Sequence, residues 1–446
     1  MSDIDILERL RRLHRLRSTS RALPSRLQAS VDGGTAPDAA VHFLASPEEE
    51  REIANDLGTC LRRTLRCPPS LERGGLSLAQ AFRWDPEALA SLFPGLPPGV
   101  AADLRHVAFL DTETTGLGGS GSFAFLVGVG AFELGPESAA PRAFRVVQFF
   151  ARHPGEEAAM LQALAHHLES FVLLGTFNGR TFDLPLLRAR YGLHGRLGSP
   201  HLCLPSLLAP DAPHLDLLPP ARRLWRRRLG SCALGALERR VLGYRRGQAD
   251  VPGAQIPRLY MDYLAHGHLQ ALHGVFYHNA EDIVSMVALL ARLSRCLLSA
   301  SDGMGEGGLP GADLLSLARL YEAMGQVERA ERLYRAALET DPEPRLRAEI
   351  FHGLGWLLKR QGRWDEAAEV WQRWIAAVPG PDPRPYVELA KLFEWRARDL
   401  AQAEMWTAWA LHNQEAAPPG RSSPRAIAEL RHRLERIRRK RRRNGP

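Results

Sequence analysis

Three short strings carry residues able to do chemistry, and all are acidic. In FLDTETTGL, Asp111 and Glu113 follow the run His106 to Leu110. Side chains alternate along a strand, so two acids two positions apart project from one face, roughly 7 Å apart along the backbone, within reach of one metal pair. Unpaired acids at the end of a buried strand are costly unless cations compensate them. In TFNGRTFDLPLL, Val172 to Asn178 reads as a strand and Asp183 opens a helix. Alone, Asp183 occupies a helix-cap position. Asn178 and Gly179, a polar side chain and a flexible backbone at a strand end, suit a nucleotide or phosphate contact. In VFYHNAEDIVSMVALL, Asp282 lies in the first turn of an apolar-faced helix. His278, four residues earlier, shares its face if the helix is continuous there, whereas Tyr277 is a neighbour only if the backbone is still irregular. Converging carboxylates would be held apart without cations, and hard oxygen ligands favour two Mg²⁺ or Mn²⁺ ions over zinc.

The elements that must position these acids are legible around them. His106 to Glu113, Ser122 to Glu133 and Ala143 to Ala151 are β-prone runs separated by turn residues, which predicts an antiparallel meander. A helix follows, with Pro154 near its start and Glu156 and Glu157 in its first turn, and then the strand Val172 to Asn178. Helical patterns at Leu184 to Tyr191, Ala233 to Leu242, Pro257 to Ala265 and Asn279 to Leu298 complete a mixed α/β sheet flanked by helices over residues 75–298. Residues 75–99 read as an irregular or helical approach punctuated by Pro and Gly. Residues 1–74 read as a lead-in, with an amphipathic segment over Ile4 to Leu16 and a polar stretch to about Asp38.

Residues 299–311, SASDGMGEGGLPG, have the composition of a linker. Beyond it Gly325, Ala330, Tyr334 and Pro342 recur at one interval as Gly362, Ala367, Trp371 and Pro379, with a weaker third copy at Ala403 and Thr407. Small and large residues in this alternation resemble tetratricopeptide repeats, an all-α domain over residues 312–415. Residues 416–446 form a basic tail: residues 421–446 hold eleven Lys and Arg against two Glu, and the formal charge of the whole chain is +8. That tail suits salt-sensitive attraction to phosphate backbones. No run of eighteen apolar residues occurs, which argues against a membrane span. Five scattered cysteines without zinc spacing read as reduced thiols in a cytoplasm.

Together the three acidic strings resemble the DEDD superfamily of 3′–5′ exonucleases, whose motifs run Asp-x-Glu, then Phe-Asp, then a final Asp. More narrowly, LDTETTGL, TFNGRTFDLPLL, HLDLLPPARRLWRRRLGSCALGALERRVLG and FYHNAEDIVSMVALL look like the YprB-like ribonuclease-H-like family, whose members often add tetratricopeptide repeats. The resemblance implies a ribonuclease-H-like fold and hydrolysis of nucleic acid, DNA or RNA, by two ions. Asp111 would bridge them, Glu113 and Asp282 would complete the water-activating site, and Asp183 would hold the second ion. The superfamily's base is a His five or a Tyr four residues before the last Asp. Here Tyr277 and His278 occupy those slots in swapped order, so both remain candidates, with His278 better matched in pKa. Thr114, Asn178, Gly179, Arg222, Arg223, Arg226 and Arg227 are the expected nucleic-acid contacts, and the repeats are expected to take a protein partner. The alternative is a catalytically weak scaffold that binds nucleic acid and recruits partners.

Overall fold

The computed structural model describes residues 44–443 except 45, 83–89, 91, 94, 95, 97–103, 117–121, 135–140, 198, 200 and 303–307, so the amphipathic start and the polar stretch after it lie outside the described residues. Contacts divide the chain into two compact units, residues 1–221 with 231–295 and residues 222–230 with 296–446.

The first unit is built on a seven-stranded mixed sheet. β1 (Glu49–Asn55) and β2 (Gly58–Cys67) form an antiparallel hairpin. This hairpin falls within the stretch read from sequence as lead-in. Its strands carry Arg and Glu on both faces, Arg62 pairing with Glu49 on one and the buried Arg63 with Glu50 on the other, so charge masks the apolar alternation. A two-residue ladder of β3 (Glu72–Arg73) and β4 (Leu76–Ser77) stands apart from the sheet. The predicted meander follows as β5 (Val107–Thr114), β6 (Ala124–Leu134) and β7 (Pro141–Phe150). Helix α1 (Glu157–Leu168) then crosses to β8 (Leu173–Thr176), parallel to β5, and α2 (Asp183–Arg196) leads to β9 (His214–Asp216), parallel to β8. The order is β1-β2-β7-β6-β5-β8-β9.

Four further helices follow: α3 (Leu218–Leu229), α4 (Leu234–Arg240), α5 (Ile256–His266) and α6 (His273–Asp302). Central strand β6 is buried on both faces over most of its length, as a strand covered by helices must be. Tyr260 of α5 stacks on Phe125 at 3.9 Å between ring centroids and donates its hydroxyl to the Ala151 carbonyl. Helix α6 lies so close to β6 that a Cβ on Gly128 would come within 2.1 Å of Asn279 Oδ1, and one on Gly130 within 2.3 Å of Ile283. Only glycine at these two positions permits the approach that brings the third acidic string onto the sheet.

The second unit is helical: α7 (Gly311–Ala323), α8 (Val327–Glu339), α9 (Pro344–Arg360), α10 (Trp364–Ala377), α11 (Arg384–Trp395), α12 (Leu400–Glu415) and α13 (Pro424–Arg443). Gly325 and Gly362 end α7 and α9 with φ of 73° and 75°, the left-handed conformation that closes a helix and turns the chain into its antiparallel partner. Ala330, Tyr334, Ala367 and Trp371 are buried between the paired helices, which explains the recurrence seen in the sequence. The basic end is a helix packed on this unit. Leu430, Leu434 and Ile437 of α13 are buried at helical spacing, and Arg433, Arg436 and Lys440 all pair with the buried carboxylate of Glu394.

Candidate functional site

β5 ends in the first acidic pair. Asp111 lies opposite Gly128 of β6, and the ladder shifts register between Glu113 and Thr114. A relay of amides fixes Asp111: Arg63 Nη1 donates to Gln148 Oε1 at 3.0 Å, Gln148 Nε2 to Asn279 Oδ1 at 3.0 Å, and Asn279 Nδ2 to Asp111 Oδ2 at 2.8 Å. Every member of the relay is buried, so Asn279 has one orientation that satisfies both neighbours. Thr114 turns its hydroxyl to the Gly116 carbonyl at 2.7 Å.

Asp183 opens α2 and accepts a 2.5 Å hydrogen bond from the hydroxyl of Thr112, the residue between the two acids of β5. The turn that delivers it is held from β9. Asp216 accepts from the backbone N–H groups of Asn178 at 2.8 Å, Arg180 at 3.3 Å and Leu218 at 3.1 Å, and Asn178 sits at φ 67°, a strained value for a residue with a side chain. Gly179 lies in the same turn, its N–H on Thr176 Oγ1.

Because α6 begins at His273, the helix is already continuous at His278 and Asp282. One turn apart on the same face, they lie with Nε2 3.6 Å from Oδ2. Ligand atoms of Glu113, His278 and Asp282 lie within 4.8 Å of one another. Asp250 accepts from His278 Nδ1 at 2.7 Å and fixes the ring. Arg246 pairs with Asp282 and, at 2.6 Å, with Glu238, and stands 3.3 Å from His278 Nδ1.

The electrostatics follow from this crowding. Burial, then the charges of Asp282, Glu113 and Asp183, hold the Asp111 carboxyl well above the usual carboxylate range. Burial raises Glu113 to about 8, with Asp282 and Asp183 adding to it against His278, and raises Asp183 to about 6 against the Thr112 hydrogen bond. Burial alone would lower His278, but the Asp250 hydrogen bond and the charges of Asp282 and Glu113 outweigh it and raise the imidazole to about 9. Acids from three elements therefore act on one another electrostatically. Among the described residues Glu113, His278 and Asp282 are the group whose ligand atoms lie close enough together to hold a cation, Asp111 and Asp183 standing outside that group.

The remaining sequence-predicted residues lie elsewhere. The helix that carries His278 toward Asp282 turns Tyr277 away, and its hydroxyl donates to buried Glu281 at 2.7 Å, beside that of Tyr244. Arg222, Arg223, Arg226 and Arg227 belong to the second unit, where they line a cavity. Sequence reasoning missed Thr112, Glu238, Arg246, Asp250 and the role of Asn279. Asn279 stood inside a string already singled out, HNAED, whereas Arg246 and Asp250 come from irregular backbone in which no periodicity marks them.

Comparison with known proteins agrees with this architecture. Residues 108–294 match the RNase_H superfamily model RNase_H_2, and residues 312–376 match a tetratricopeptide repeat model. Over 357 residues the chain is 30% identical to YprB of Bacillus subtilis (strain 168), covering 77% of this chain and 78% of that protein. The chain belongs to the YprB-like family of the RNase H superfamily. Membership suggests a nuclease-type hydrolase acting on nucleic acid, and the tetratricopeptide repeats of this YprB-like chain suggest a protein partner. No helix among the described residues is long and apolar enough to cross a membrane.

Proposed function

We propose that the chain is a divalent-metal-dependent nuclease that hydrolyses phosphodiester bonds of DNA or RNA from a 3′ end. The observation that carries this reading is the gathering of acids from β5, α2 and α6, in which the charges of Asp282, Glu113 and Asp183 add to burial in raising Asp111 and those of Asp282 and Asp183 add to it in raising Glu113. Such a cluster is stabilised by bound positive charge. These four residues would hold two Mg²⁺ or Mn²⁺ ions, which supply water activation and charge stabilisation of the leaving oxygen. His278, pinned by Asp250 and facing Glu113 and Asp282, would orient the attacking water. Raised to about 9, the imidazole carries its proton at neutral pH and is not free to take another, contrary to the expectation of a near-neutral base. Tyr277 has its hydroxyl committed to Glu281 and is the weaker candidate. Thr114 at the end of β5 and the Asn178–Gly179 turn would contact the strand end being cut.

The scaffold alternative has one observation in its favour. The Arg246 guanidinium already pairs with Asp282 and Glu238, so the protein carries an internal cation at one side of the cluster. End-labelled single- and double-stranded DNA and RNA, incubated with Mn²⁺, Mg²⁺ or EDTA, separate the two. Metal-dependent shortening from the 3′ end that disappears in Asp111→Asn supports the nuclease. Binding without cutting in every metal supports the scaffold, and cutting that survives both EDTA and the substitution removes the proposed chemistry.

A further inference from the structure

We infer that the repeat unit itself holds the phosphate backbone of single-stranded nucleic acid, along an arginine-lined groove that ends on an exposed tryptophan. The inference deepens the nuclease reading and rests on it only for the choice of polymer. A cavity of about 860 Å³, formed wholly within the second unit, is lined by seven arginines and two glutamates. Glu349 is shared by Arg227 and Arg319, and Arg228 is paired with Asp313. Arg222, Arg226 and Arg345 are exposed and make no ion pair among the described residues. An adjoining cavity of about 580 Å³ shares Arg319, Arg345 and Glu349 and continues to His352 and Arg384. The two spaces adjoin along these shared residues.

The occupant follows from what lines it. Arg345, Glu349, His352 and Trp356 fall three or four residues apart on one face of α9, spanning about 16 Å of helix. Trp356 is 39% exposed, its ring 6.4 Å from that of His352 and with the Lys359 ammonium 4.6 Å above it. Unpaired guanidinium forks suit phosphate oxygens, and the exposed indole of Trp356, with the half-buried His352 ring beside it on the same face, suits an unstacked base. An acidic peptide would use the arginines and leave the rings without a role, and a duplex would offer no free base to stack.

Fluorescence anisotropy of labelled single-stranded 20-mer RNA and DNA with the full chain in EDTA tests this. At 0.1 M NaCl the variant R222E/R226E/R345E is expected to bind at least tenfold more weakly. Its plot of log affinity against log salt should be shallower by about 2, since each lost phosphate contact removes about 0.7. The milder R222Q/R226Q/R345Q should lose the same slope, which covers any misfolding from charge reversal. Trp356→Ala should weaken single-strand binding severalfold and leave duplex binding unchanged. Unchanged affinity and slope in the glutamine variant would overturn the inference, as would polyglutamate displacing the oligonucleotide as well as polyuridylate of equal length does. A chain that binds through these arginines but never cuts leaves this inference standing and removes the nuclease reading. One that cuts but is indifferent to the substitutions does the reverse.

Discussion

At the scale of the residue, the centre is a set of like charges kept together at a cost. Asp111 is the acid most surrounded by others, and Asn279 donates to it. An asparagine there keeps the shape and can accept the same bond while removing the repulsion. Asp111→Asn is therefore expected to melt a few degrees higher than wild type in EDTA at pH 8, and to lose the stabilisation that Mn²⁺ gives wild type. Differential scanning fluorimetry with and without Mn²⁺ checks both; an unchanged Mn²⁺ shift would exclude Asp111 as a ligand. A second residue titrates away from the acids. His214 is buried, shares its Nε2 with Thr176 Oγ1 at 2.8 Å and receives Arg180 Nε on Nδ1, and burial first, then the charges of Arg180 and Arg188, lower it to about 3. Its folded value lies below the unfolded one, so the unfolded chain binds the extra proton between about pH 3 and 6.5. The stability it contributes is complete above that window and is lost as pH falls, about 2 kcal/mol of it by pH 5. Urea midpoints at pH 7 and 5 should fall less in His214→Gln than in wild type.

At the scale of the element, α6 matters because it touches the sheet at two glycines. Gly128 stands opposite Asp111 and beneath Asn279, so Gly128→Ala forces the helix outward and carries His278 and Asp282 with it. A cost of about 1–3 kcal/mol is expected from overpacking, together with a weakened Mn²⁺ shift. A normal Mn²⁺ shift in a destabilised variant would show that the helix position does not govern the centre. Much of the sheet was legible because β5 to β8 are apolar runs between turn residues. The hairpin of β1 and β2 was not, since its Arg and Glu pair across strands instead of alternating cleanly with apolar residues. The four acids stood out by their strings. What holds them did not: Asp250 and Arg246 reach His278 and Asp282 across 28 to 36 residues of sequence, and such partners follow from tertiary packing, which no local pattern encodes.

At the scale of the whole molecule, the division of the chain is not the division of the sequence. Residues 222–230 group with 296–446, although the chain returns to the first unit for residues 231–295. A truncation after residue 298 therefore keeps the nine residues and removes the unit to which they belong. Leu224, Trp225 and Leu229, all buried in the full chain, should become accessible. The truncated protein is expected to bind a hydrophobic dye and to elute as aggregates in size-exclusion chromatography, and a monodisperse product without dye binding would contradict this. The same discontinuity bears on synthesis. On the ribosome, residues 222–230 emerge well before residue 296, and at about 5 to 20 residues per second the gap lasts several seconds. For that interval a nascent amphipathic segment with a buried-type tryptophan waits for the unit with which it groups, so the helix that carries it is completed in its surroundings only after the repeats are translated.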